Sequence, residues 1–479
     1  MELIARLPAA LRRRLGLTCA VYVALWIGAI KLLCVAVGPE MPLTTAVSIV
    51  LAVWLSSILF AAGLLLVYNV AVIGYRHKVA APPAIAVEHA PTPTNAPPEH
   101  GSLNRYTRIG IVLAGGGAKG AYQAGAMRAI HEFLERRNAL DRVAMIAGTS
   151  IGAWNAMFWL SGMIKSPNGA LSAHEQWWRS ISLERIVEFD TYRPLKLSLF
   201  RTTPWEETFM RLFRDTDESR KRIATLFSES PQAARRPHVY FTRTNVGKGT
   251  LEFSTNRPRN SLATLRRSTI AGGGPLVSPD TFDVIEGPNA FDRLRGAVFA
   301  SMDLPPLFPY STIATQAGQV YEDGGVVANL PIWFGTDIEE CDLLFVLPLN
   351  ASFTAPPPKR SMHSRLLRVL DIRQGLLERE AIRAIYHYNE AITLRNRIAR
   401  SEGRSEMNGV SVFAVCPEPP LQIDTTEFWA GSAASVAFST MYKATNALLE
   451  SKFNELTTAS PITMACVSSL GETTLREII

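Results

Sequence analysis

The hydrophobic pattern divides the chain in two. In the first part, Gly16 to Val37 is apolar apart from Lys31, and Met41 to Tyr75 carries no charge; the two are joined by Gly38-Pro39-Glu40. About 20 apolar residues cross a bilayer, so the pattern predicts two spans, about 16–37 and 43–75. Trp26, Trp54, Tyr68 and Tyr75 suit interfacial anchoring. Residues 79–106 are rich in Pro and Ala and have no period, which reads as a semi-extended linker. From Arg108 onward the pattern becomes short apolar runs alternating with helical periods. Residues 109–114 read as a buried strand, 120–137 as a helix with one apolar face, 143–147 as a strand and 153–160 as a helix. This βαβα order implies an α/β fold with a mainly parallel central sheet covered by helices.

Further along, 174–215 reads as aromatic-rich helices packed on the sheet, with a mobile cap over a cleft as the lesser reading. Residues 238–255 read as a hairpin around Asn245-Val246-Gly247-Lys248-Gly249. Residues 257–290 are polar and contain Gly272-Gly273-Gly274, which suggests a long surface insertion or a lid. A helix near 297–301, a strand at 342–349 and a long helix over 361–400 follow. The apolar stripe of that helix is read as Leu366, Leu370, Leu377 and Ile385. Val410 to Val415 is expected as the last strand and Ala433 to Leu449 as the last helix. The expected organisation is a hairpin at 1–78, the linker, a domain at 107–335, and a segment at 336–479 completing its fold.

Charge then orients the chain. Arg6, Arg12, Arg13 and Arg14 precede the first span, Arg76, His77 and Lys78 follow the second, and only Glu40 lies between them. The positive-inside rule puts both ends in the cytoplasm. A cleavable signal peptide is the rival reading of the first span, but no small-residue cleavage site follows it. The net charge of +7 is spread along the 479 residues without a basic arm. It therefore points to an anionic membrane surface, not to nucleic acid. Cys19, Cys34, Cys341, Cys416 and Cys466 are scattered, with neither disulfide-framework nor metal-ligand spacing, so a reducing compartment and no metal are expected.

Candidate chemistry centres on Gly148-Thr149-Ser150-Ile151-Gly152, between a strand and a helix. This is the pattern of a nucleophile elbow, although a plain small-residue turn reads the same in isolation. Gly115-Gly116-Gly117-Ala118-Lys119-Gly120 joins the first strand to the first helix and can aim backbone N–H groups at an oxyanion. Phosphate binding is the rival. However, Lys119 precedes Gly120 and Ala121 where a phosphate loop needs Gly-Lys-Ser/Thr. The next strand also ends in Gly148 without the acidic residue a dinucleotide site wants, and Asp141 lies at its wrong end. For the base, none of the eight histidines lies in a loop with catalytic chemistry. Asp323, followed by Gly324 and Gly325 in a turn after a strand, is better placed, though an ordinary turn would look alike.

Together with Ala300-Ser301 and Pro305 ahead of Phe308-Pro309, these blocks resemble the patatin-like phospholipase family over about 108–335. The resemblance implies a three-layer α/β fold and a Ser–Asp dyad without histidine. It makes Ser150 the nucleophile, Asp323 the base and the Gly115–Gly120 loop the oxyanion hole, with no cofactor. The family often has Asn-Asn-Pro after the Asp-Gly turn; here the chain reads Ala328-Asn329-Leu330-Pro331. The expected activity is hydrolysis of fatty-acyl esters of phospholipids or lysophospholipids, in lipid catabolism or remodelling. The enzyme would be a membrane-anchored member with its domain on the cytoplasmic face of a bacterial inner membrane. A lipid transacylase using the same site and a non-catalytic membrane scaffold are the alternatives.

Overall fold

The computed structural model describes residues 103–166, 170–189, 200–227, 236–265, 276–305, 307–312, 318–352, 362–419, 421–423, 425–428, 430–457 and 462–478. The expected spans at 16–37 and 43–75 and the linker up to residue 102 lie outside these residues, as do Gly272-Gly273-Gly274. Among the described residues, no helix is long and apolar enough to cross a membrane.

The elements begin with strand β1 (Ile109–Leu113), helix α1 (Gly120–Arg136), β2 (Val143–Gly148), α2 (Ile151–Leu160), α3 (Ala173–Arg179), α4 (Leu183–Ile186), β3 (Glu188–Phe189) and β4 (Phe200–Arg201). Then come α5 (Thr203–Phe209), α6 (Asp217–Thr225), β5 (His238–Asn245), β6 (Thr250–Thr255), α7 (Arg259–Ala263), β7 (Phe282–Val284), α8 (Ala290–Met302) and β8 (Tyr321–Asp323). The chain ends with β9 (Leu343–Leu347), α9 (Met362–Ser401), β10 (Ser411–Pro417), α10 (Gly431–Ser451), α11 (Phe453–Leu456), β11 (Ile462–Val467) and β12 (Thr473–Ile478).

Ten strands form one sheet in the order β12-β11-β10-β9-β1-β2-β5-β6-β7, with β8 pairing to β5 off this path. From β11 to β5 every pairing is parallel; β12, β6 and β8 add antiparallel neighbours, and β7 runs parallel to β6. The sheet is mixed and mostly parallel. β1 is buried along its whole length because both faces are covered, which is why it reads as an unbroken apolar run. Ile109, Ile111 and Leu113 face one core, shared with Phe133, Trp154, Val298 and Phe438 of the helices. Val112 faces the other, shared with Phe334 and with Ile382 and Ile385 of α9. Helices on both faces of the sheet give three layers.

Four expectations change. The domain starts earlier than 107, because Leu103 and Tyr106 are buried and the Tyr106 ring meets Phe453 at 6.4 Å. The segment 257–290 is not wholly an insertion. Phe282 and Val284 of β7 are buried, and Phe253 pairs with Phe282 as β7 joins the sheet edge. Val410–Val415 is not the last strand: β11 and β12 follow α11 and extend the sheet beyond β10. Finally, α9 buries only part of its expected stripe: Ile385 is buried and Leu377 half-buried, but Leu370 is 36% exposed, and Gly375, Glu378, Ile382 and Asn389 also face inward. The helix accommodates two polar groups in its buried face because each finds partners there, Asn389 bonding both the N–H and C=O of Val410.

Trp177, Trp178, Trp205, Phe209 and Phe213 are core, in line with the main reading of 174–215. Trp154 meets Trp177 at 4.9 Å and Trp205 at 5.2 Å, and Phe209 meets Phe213 at 5.0 Å. All five are buried.

Candidate active site

The carboxyl ends of β1 and β2 lie side by side, with Leu113 in register with Gly148. β1 is where successive crossovers part, to β2 on one side and β9 on the other. In open α/β sheets such a point leaves a crevice beyond the strand ends. Here the crevice receives the glycine loop from β1 and the Ser150 turn from β2.

Ser150 has φ +55° and ψ −127°, an uncommon conformation for a non-glycine residue. It sits at the N-cap of α2, whose positive end favours negative charge. The turn is held from three sides. Thr149 N–H donates to Leu113 O at 3.1 Å. The Thr149 and Thr242 hydroxyls are bonded at 2.7 Å. Ser150 N–H donates to Ser301 Oγ of α8 at 2.9 Å. A Cβ at position 152 would lie 2.5 Å from Leu113 O, and one at 148 would lie 2.7 Å from Ala153 N. Both glycines are therefore required by close approach of backbone to backbone.

Asp323 ends β8, which pairs antiparallel to β5 and brings a distant stretch of sequence to Ser150. Its carboxylate accepts a hydrogen bond from Gly325 N–H at 2.7 Å and faces the cleft beside Ser150, close enough for the serine hydroxyl to act on its ionisation. Burial pushes its pKa up to about 7; the Ser150 hydroxyl and the Gly325 N–H oppose that rise and nearby Glu322 adds to it. Asp303 is also buried. Burial holds its own pKa well above the carboxylate range, despite a hydrogen bond from Ser311, and the charge of Asp323 adds to the rise. Asp303 further positions Asp323, whose N–H donates to the Asp303 carbonyl at 3.0 Å.

The glycine loop narrows to two free donors. The N–H of Gly115 goes to Asn329 O (3.4 Å), that of Ala118 to Thr425 O (2.8 Å) and that of Lys119 to Gly116 O (3.2 Å). Gly120 N–H bonds back into the loop. The N–H groups of Gly116 and Gly117 have no acceptor among the described residues, and both glycines line the cleft with Ser150. Gly117 has φ +57°, and a Cβ there would lie 2.1 Å from Thr425 O. The Lys119 side chain points elsewhere, to Asp371 at 2.8 Å and Asn350 at 2.7 Å.

Ile151, Trp205, Met302, Leu304, Phe308 and Phe428 give the cleft an apolar wall. The segment 257–290 contributes no cleft residue among those described, so its described part is no lid over this site. No histidine lines the cleft either. His174 is buried instead against Asn155 and stacked on Phe158, and desolvation lowers its pKa to about 3. Among the described residues, no group of His, Cys, Asp or Glu is arranged to hold a metal ion.

The residues missed from sequence are those acting across the fold. Ser301 was visible only as part of a motif without a role, and Trp205 and Phe428 belong to segments with no catalytic signature. Glu378 left one trace, a charged residue on the inward period of a long helix.

A strained serine over a helix N-terminus, in one cleft with a buried carboxylate and free backbone donors, is an arrangement suited to acyl transfer. Residues 111–334 match the family model described as patatin-like phospholipase. The match is to a patatin-like phospholipase domain, which implies acyl-ester hydrolase activity and a phospholipid substrate. The crystal structure of VipD from Legionella pneumophila is similar over 72% of this chain and 67% of that one. Its identity is 14% and its TM-score 0.31, a likeness too slight to carry fold or function. No curated protein matches the sequence.

Proposed function

We propose that the protein is a membrane-anchored phospholipase or lysophospholipase that works through Ser150 and Asp323. The observation that supports this most is that buried Asp323 lines the same cleft as Ser150, with the two free N–H groups of Gly116 and Gly117 beside them. Ser150 Oγ attacks the ester carbonyl carbon as its proton passes to Asp323. The carbonyl oxygen becomes an oxyanion held by the N–H groups of Gly116 and Gly117 and by the positive end of α2. Collapse breaks the bond to the leaving oxygen, which takes the proton from Asp323 and departs as the alcohol. Water then attacks the acyl-Ser150 ester, giving its proton to Asp323. The second collapse returns that proton to Ser150 and frees the fatty acid.

An aspartate with an ordinary pKa of about 3.9 is too weak a base for a hydroxyl. The rise to about 7 that burial causes brings Asp323 to a useful basicity at neutral pH. The cavity at the serine is about 30 Å³, room for roughly one or two waters. Acyl-chain entry therefore requires the apolar wall of Trp205, Phe308 and Phe428 to open. Contact with a lipid surface would favour that opening, and the two spans expected at 16–37 and 43–75 would hold the domain at such a surface and raise the effective substrate concentration.

A fluorophosphonate probe tests the nucleophile: it should label the parent and leave Ser150→Ala unlabelled, and labelling of the variant would sink the assignment. Extraction of membranes at alkaline pH tests the anchor. The full chain should stay with lipid and a chain lacking residues 1–78 should be released.

A further inference from the structure

A buried carboxylate outside the mechanism stands behind the glycine loop. Glu378 lies on α9, beyond the segment that matches the family model, and is fully buried. One of its oxygens accepts from Asn329 Nδ2 at 2.6 Å and Asn350 Nδ2 at 3.1 Å. The other accepts from the N–H groups of Leu349 at 3.2 Å and Asn350 at 2.7 Å. The same Asn329 Nδ2 donates to the carbonyl of Gly115 at 3.0 Å.

These bonds form a chain with a direction. With four donors converging on it, Glu378 is held as an ionised, acceptor-only carboxylate, and Asn329 turns its NH2 group toward it. That orientation puts the second hydrogen of the same NH2 on Gly115 O. Across a trans peptide, C=O and N–H point in opposite directions. Fixing the Gly115 carbonyl outward therefore aims the N–H of Gly116 the other way, toward the cleft. A run of glycines has little of its own to stop such a peptide from flipping. Were Asn329 reversed, its oxygen would face both Glu378 and Gly115 O, and the loop would lose its restraint. Space reinforces the arrangement: a Cβ on Gly115 would lie 2.6 Å from Asn329 Oδ1, and one on Gly325 would lie 2.7 Å from it. Asn329 is thus wedged between the loop of the free donors and the turn of Asp323.

We propose that Glu378 is a positioning residue for the oxyanion hole, acting through Asn329 and the Gly115 carbonyl to aim the Gly116 N–H. This rests on the reading of Ser150 as nucleophile and of Gly116 as an oxyanion donor. The clamp comes from the C-terminal part of the chain, so the catalytic segment alone would lack it.

Glu378→Gln in the full-length protein tests it. Glutamine keeps the volume but puts an NH2 where two donors already converge, which forces Asn329 or the backbone contacts to yield. The expected result is a fall in kcat of about 10- to 100-fold, a part of the effect of deleting an oxyanion donor, with KM within about twofold. Affinity for a trifluoromethyl ketone, whose hemiketal oxyanion occupies the hole, should fall in parallel, while affinity for a fatty acid should not. Asn329→Ala should show the same pattern, and the double variant should be no worse than the worse single one. Parent-level kcat in Glu378→Gln, losses that multiply in the double variant, or an equal loss of fatty-acid affinity would each overturn the proposal. If Glu378→Gln does not fold, Asn329→Ala decides alone: a loss confined to kcat supports it and parent kcat refutes it. Turnover surviving in Ser150→Ala would instead bring down the underlying assignment. An inactive Ser150→Ala beside a fully active Glu378→Gln would bring down this inference only.

Discussion

Asp323→Asn separates the chemical role of the carboxylate from its structural cost. Asparagine is nearly isosteric: its Oδ1 can keep the bond from Gly325 N–H, and its NH2 can meet the Ser150 hydroxyl. The ordinary pKa of 3.8 rises to about 7 in the folded protein, chiefly through burial. The folded state therefore binds a proton that the unfolded state has lost between about pH 4 and pH 7, and stability falls as pH rises through that window. At 1.36 kcal/mol per tenfold change in the equilibrium, the cost of ionised Asp323 is about 4 kcal/mol at most. Water entering the cleft would reduce it to about 2–4 kcal/mol. Asp323→Asn removes this cost, so the variant should equal the parent near pH 4 and exceed it above pH 8. For a large domain the gain is roughly 3–8 °C in Tm, readable by tryptophan fluorescence in detergent solution. In the parent, kcat/KM should rise with pH, with a midpoint near 7, and level off. In the variant it should fall by at least about 100-fold. A Tm difference that is the same at pH 4 and pH 8, or an activity midpoint below 5, would refute the reasoning.

Other substitutions test the scaffold. Ser150→Gly should stabilise the protein by about 1 kcal/mol, by relieving the positive φ, while abolishing fluorophosphonate labelling; chemical denaturation reads the first effect. Gly152→Ala drives a Cβ to 2.5 Å from Leu113 O and should cost about 3 kcal/mol or more, seen as lost soluble or detergent-extractable protein. Ser301→Ala leaves the buried N–H of Ser150 without its acceptor and should cost about 1–3 kcal/mol, with a lower kcat as the elbow loosens. Trp205→Ala should open the cleft wall and cost about 3–5 kcal/mol in stability, with the larger kinetic change falling on long-chain substrates.

The sequence alone determined whatever local rules dictate. Apolar runs and helical periods marked β1, α1, β2 and α2, because each has its own period and length. Gly148 and Gly152 were legible because backbone can pass that close to backbone only where no Cβ intervenes. Asp323 was legible as an acidic residue in a glycine turn, and became a base only by resemblance. The tertiary structure decided what depends on burial and on distant strands. Pairing of β8 with β5 puts Asp323 against Ser150, and desolvation there sets its basicity. The same packing takes up the N–H groups of Gly115, Ala118 and Lys119 and leaves those of Gly116 and Gly117 without an acceptor among the described residues. β7 was hidden in a polar stretch, and the inward face of α9 in a helix of mixed charge, because an edge strand and a buried carboxylate show themselves only through their partners. Glu378 is the clearest case, since a charge on a core-facing helical position is unfavourable until four donors meet it.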